Sequence, residues 1–182
     1  MAQLTSKPVV RVLLVVTGLM IVHGLAATNV GRTQATCPSI WTGQNISCEL
    51  LPPPQSDTID SRFELPGGGW LSTFNSGSSG CIQLWDRFTY LNGTDHVWYT
   101  ASLPNNGTGR HYGDGGGYGD ILISETAHTD GGHELARTVI HETAHAYGCN
   151  DDGAEDWEEF CVGDYQWGIN SPPPPIPCPA MF

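Results

Sequence analysis

The chain has 182 residues, with 19 acidic against 7 basic side chains and a formal net charge of −12. If the first 27 residues are a removable leader, about 155 remain, enough for one domain with its own core. Over that stretch five arginines face all 19 carboxylates, a balance of −14, and such a surface repels phosphate backbones, which argues against nucleic acid as a partner.

In chain order, Lys7 and Arg11 precede an apolar run from Val12 to Val22, and small residues follow at Gly24, Ala26 and Ala27. This order predicts a secretory signal peptide over 1–27, cleaved after Ala26 or Ala27. The run is shorter than the roughly 20 residues a membrane-spanning helix needs. Residues 28 to about 60 read as irregular, with Pro52-Pro53-Pro54 as a rigid spacer. Trp70 to Phe74 is a short strand candidate between Gly-rich turns. The stretches 81–91 (CIQLWDRFTYL) and 96–102 (HVWYTAS) are rich in β-branched and aromatic residues. With Asn92-Gly93 between them, they predict a β-hairpin. Residues 104–119 read as a long Gly-rich loop, and Asp120 to Ser124 as another strand.

One strong helix follows, from Gly132 to Tyr147, with Thr129 or Asp130 as its cap. Ala136, Val139, Ile140, Thr143 and Tyr147 recur at three- and four-residue intervals and define a buried stripe. Gly148 ends it in the way helix C′ glycines do. A second, shorter helix is predicted from Ala154 to Cys161. The stretch from Ser171 to Pro179 holds six prolines and reads as an extended, Pro-rich tail.

Six cysteines (Cys37, Cys48, Cys81, Cys149, Cys161, Cys178) behind an export signal predict three disulfides; about 15 connectivities are open to them and spacing does not choose, with a local Cys37–Cys48 loop as the expectation. No pair has zinc-thiolate spacing. Asn45, Asn92 and Asn106 open glycosylation triplets. The product is expected to be secreted, extracellular or periplasmic, and a monomer.

The chemistry lies in His141-Glu142-Thr143-Ala144-His145, the motif H-E-x-x-H. Two histidines four apart on a helix project from one face, so both imidazoles reach a single Zn²⁺ at about 2.0–2.1 Å. Glu142, next to the first ligand, reaches the activated water as general base. A third ligand is needed, and helix geometry offers Glu155, which a helical hairpin of 132–147 against 154–161 would set opposite His145, with Glu159 opposite His141. Asp152, Asp156 and Glu158 read as a solvated acidic face. His96, His111 and His128 have no spacing argument and read as structural, and Tyr165 as an aromatic packed near the tail.

The run from His141 to Asp151 resembles the metzincin signature H-E-x-x-H-x-x-G-x-x-H/D, in the Asp-terminated form of small secreted peptidases such as snapalysin. The resemblance covers 11 residues. It implies that Gly148 makes the turn and Asp151 completes the metal site, and Met181 resembles the methionine of that family's turn beneath the metal. It further implies a zincin-like α+β domain over 28–182: a small twisted sheet from residues 70 to 124 packed on the H-E-x-x-H helix. A disulfide-tied C-terminal part would close the cleft, and Asp120 to Ser124 would be the strand bordering it. The activity implied is that of a zinc metalloendopeptidase acting on peptide or protein substrates. Two other classes compete with it: a non-catalytic secreted zinc-binding domain, and a disulfide-stapled interaction module.

Overall fold

A computed structural model describes residues 35–113, 116, 118–162 and 178. The signal segment, Tyr165, Met181 and the Pro-rich tail apart from Cys178 lie outside the described residues. These residues build an α+β domain: α1 (Ser39–Thr42), β1 (Glu49–Leu50), α2 (Pro53–Asp60), α3 (Ser79–Gly93), β2 (Val97–Thr100), β3 (Gly109–Tyr112), β4 (Asp120–Ser124), α4 (Glu125–Thr129), α5 (Gly132–Ala146) and α6 (Asp151–Val162). Among them, no helix is long and apolar enough to cross a membrane.

The four strands form one mixed sheet in the order β1-β2-β4-β3. β2 and β4 run parallel, in register from Val97 opposite Ile121 to Thr100 opposite Ser124, and β1 and β3 join antiparallel on either side. Side-chain alternation along a strand gives this sheet two faces. Val97, Ile121 and Ile123 enter the main core with α3 and α5. Trp98 and Leu122 point the other way, into a smaller cluster with Trp41, Ile46 and Leu103. β4 is paired on both sides, so it is interior. The strand bordering the cleft is β3, an edge strand within the stretch expected to be loop.

The largest departure from expectation is residues 81–91, which are helical and do not pair with β2. Residue type suggested a strand, but Cys81, Leu84, Trp85, Phe88 and Leu91 are spaced for a helix and all are buried. Ser78 caps its start, accepting from the Cys81 N–H at 3.4 Å. Asn92 and Gly93 therefore finish a helix and turn no hairpin. Trp70 makes only an isolated bridge to Glu64; its ring and those of Phe63, Phe74 and Trp85 instead pack together, with Phe63 stacked on Trp85 at 4.1 Å. Pro53 and Pro54 open α2, where the missing N–H groups have no intrahelical partner to lose.

α5 is the helix predicted from the apolar stripe. Ala136, Val139, Ile140, Thr143 and Tyr147 are all buried, and the helix packs on α3, α4, α6, β3 and β4. Its N-cap is Gly131, because Thr129 and Asp130 end the separate helix α4. Gly148 has φ of 85°, the left-handed conformation that lets the chain double back. Asn150 then caps α6, its side-chain oxygen accepting from the Gly153 N–H at 3.1 Å. That cap starts α6 three residues earlier than expected.

All six cysteines are paired. Cys37–Cys48 closes the local loop that was expected, Cys81–Cys161 ties α3 to α6, and Cys149–Cys178 joins Cys178 to the α5–α6 turn. Three disulfides fit an oxidising environment.

Candidate metal centre

The chain reversal at Gly148 lays α6 back along α5, so His145 meets Asp151 and His141 meets Glu158. The Nε2 atoms of His141 and His145 are 3.0 Å apart, and Asp151 Oδ1 is 3.3 Å from His145 Nε2. One ligand atom from each of the three lies within 4.8 Å of the others. Glu155 is exposed and outside this group. The early start of α6 explains that placement, since Asp151 occupies the position opposite His145 that a later start would have given to Glu155.

The two Nδ1 atoms decide what the Nε2 atoms can do. His145 Nδ1 lies 2.9 Å from the Cys149 carbonyl oxygen, which only accepts. His141 Nδ1 lies 3.1 Å from Glu158 Oε2, also an acceptor. Each neutral ring therefore carries its single proton on Nδ1 and presents a bare lone pair at Nε2. Two lone pairs facing at 3.0 Å, with a carboxylate oxygen beside them, require positive charge between them. A proton on one ring or a bound cation supplies it. Donors at about 2.0–2.1 Å from a tetrahedral Zn²⁺ stand roughly 3.3–3.4 Å from one another, close to the separations here. The donor set, two imidazoles and a carboxylate, also fits zinc.

Glu158, expected on a solvated face, is instead half-buried and bridges the helices. Its Oε1 accepts from Arg137 Nε at 3.2 Å and Nη2 at 2.5 Å, and its Oε2 faces His141. Burial works to raise this carboxyl, but the hydrogen bonds and charges of His141 and Arg137 outweigh it and hold it below the usual carboxylate range. On His141 burial works downward, yet the bond to Glu158 and the charges of Glu142, Glu158 and Asp151 hold the ring above its ordinary value. Spacing alone could not single out Glu158, because its partners Arg137 and His141 come from another helix.

Glu142 is 6 % exposed. Burial pushes its carboxyl up to about 7, helped by the charges of Glu158 and Asp151 and opposed by those of His141 and Arg110. It sits in a cleft of about 440 Å³ between α5, β3 and the Trp41–Gln44 segment. Gly109 makes that closeness possible. A Cβ there would meet Thr138 Cγ2 at 2.7 Å and the Glu142 side chain at 2.8 Å, so only glycine brings the edge strand against the motif helix. His111, read as structural, lines the same cleft with its ring 6.4 Å from that of His145. Neither Gly109 nor His111 has a local signal, since both act through a strand that residue type did not reveal. His96 pairs with Asp120 at 3.2 Å, away from the cleft.

Comparison of the chain with protein-family models, with curated proteins and with solved structures returned no match.

Proposed function

We propose that this chain is a secreted zinc-dependent metalloendopeptidase of the zincin type. The observation that carries the reading is the convergence of two imidazole lone pairs and a carboxylate oxygen beside a buried glutamate, at the wall of an open cleft. His141, His145 and Asp151 would hold the ion. When bound, zinc supplies Lewis acidity, which polarises a carbonyl and makes water a readier proton donor.

The remaining work falls to the chain's own residues. Glu142 takes the proton of the attacking water at a carboxylate oxygen and returns it to the departing amine nitrogen. A carboxyl that burial has moved toward neutrality suits both directions of transfer. Among the described residues, β3 has a strand partner on one side only, so an extended substrate aligns along its outer edge through main-chain hydrogen bonds. Glu158 keeps the His141 ring turned toward the ion, as a carboxylate behind a ligating histidine does.

The test is zinc quantification on natively secreted protein, with a chelator-reversible assay on a broad peptide library. The wild type should contain one zinc per chain and cleave. Glu142→Gln should retain the zinc and lose turnover by roughly a hundredfold or more. Absence of stoichiometric zinc, or unchanged turnover in Glu142→Gln, would sink the reading.

A further inference from the structure

We infer that Arg110 makes the cleft selective for acidic peptides, by holding a carboxylate side chain of the substrate. This inference rests on the peptidase reading and names the substrate class of that same site.

The two faces of β3 have different tasks. Gly109 and His111 lie toward α5, against Thr138, Glu142 and His145. Alternation therefore turns Arg110 and Tyr112 to the opposite face, where Tyr112 meets the edge of Trp41 at a centroid distance of 6.3 Å. Arg110 also pairs in register with Leu122, which belongs to the Trp41 cluster. A peptide extended along the β3 edge would drop every second side chain onto this Arg110 face.

Arg110 is available there. Its Nη1 donates to Gln44 Oε1 at 2.7 Å, an uncharged acceptor that orients the guanidinium without neutralising it. Among the described residues it has no carboxylate within ion-pair distance, whereas Arg137 is bound to Glu158 and Arg87 lies over the rings of Tyr90, Tyr118 and Tyr147. The Cys37–Cys48 disulfide and the buried Trp41 fix the segment that carries Gln44. A guanidinium has five N–H donors matched to a carboxylate, and four of them remain for a ligand. In a chain of net charge −12, a cleft cation with no ion pair among the described residues, coupled to Glu142 only through space, is a local feature that would attract an acidic group against the field of the whole molecule.

The experiment uses matched peptides that differ only in Glu, Gln or Lys at one position. Their Kd values are measured by fluorescence anisotropy on zinc-loaded Glu142→Gln protein, and kcat and KM on wild type. Glu peptides should bind about tenfold more tightly than Gln peptides, and the advantage should shrink with salt. Arg110→Gln should abolish it, and Arg110→Glu should transfer it to the Lys peptides. Equal binding of all three, or a Glu preference that survives Arg110→Gln, would overturn the inference. So would a uniform fall in kcat without a change in Kd, which would make Arg110 a transition-state donor. Turnover without acid preference removes this inference and leaves the peptidase reading standing. Arg110-dependent binding without turnover does the reverse.

Discussion

Removing the Glu158 carboxylate should weaken the α5–α6 contact and, on the proposed metal-site reading, the hold on zinc, by amounts the geometry sets separately. Glu158 is 13 % exposed and Arg137 32 %, so their pair lies between a surface bridge and a fully buried one. Breaking a buried pair costs about 3–5 kcal/mol, and solvent access to Arg137 lowers that here to about 2–3 kcal/mol, or roughly 6–10 °C in Tm for a domain of this size. Loss of the acceptor behind a ligating histidine typically weakens metal binding 10- to 100-fold, or about 1.4–2.7 kcal/mol. Melting in a chelator reads the first quantity, and competition against a chromogenic zinc indicator reads the second.

The pH dependence has a defined sign. Because the folded Glu158 carboxyl is held below the ordinary value of 4.5, its contribution is complete above that pH and is lost as pH falls through the folded value. The Tm gap between metal-free wild type and Glu158→Gln should therefore narrow in acid. If zinc affinity stayed within about threefold of wild type in both Glu158→Gln and Glu158→Ala, the carboxylate would not be setting the His141 tautomer. Half the argument for converging lone pairs would then be lost.

Two further outcomes follow from the packing. Gly109→Ala should push β3 away from α5 or displace Glu142, because the added methyl collides with side chains at 2.7–2.8 Å. A stability loss of about 1–3 kcal/mol is expected, with a larger fractional loss of turnover than of zinc content, read by melting, metal analysis and assay together. Replacing Cys81 and Cys161 by alanine opens a link 80 residues apart in sequence, for which the chain-entropy relation gives about 4.5 kcal/mol. Chemical denaturation should show a loss of roughly 2–5 kcal/mol, and a loss under 1 kcal/mol would mean the unfolded chain is already compact there.

The candidate site was readable in the sequence wherever one helix decided it. The four-residue spacing of His141 and His145 sets a common face by helical geometry alone, and the apolar stripe of α5 shows which side of that helix is buried. Gly148 marked the reversal that returns Asp151 to the histidines, although sequence left Asp151 and Glu155 as competing ligands. Strands 97–100 and 120–124 were also legible, from β-branched content over short runs. Residues 81–91 misled because aromatic and β-branched side chains suit a strand surface, while their three- and four-residue spacing suits a helix, and burial against α5 rewards the spacing.

Sequence by itself made the motif helix and the turn after it legible, because each depends on neighbours within a few residues, and composition alone set the acidity of the chain; the Cys37–Cys48 loop was expected, but no spacing excluded the other pairings. Tertiary structure alone decided that Glu158 stands behind His141, that Arg110 and His111 enter the cleft, and that β3 supplies its edge. These contacts join residues 17 or more apart in sequence, and the helix–helix register among them hinges on where Asn150 caps α6. No local pattern encodes such distances, which are set only when the sheet, α5 and α6 bury their apolar faces together.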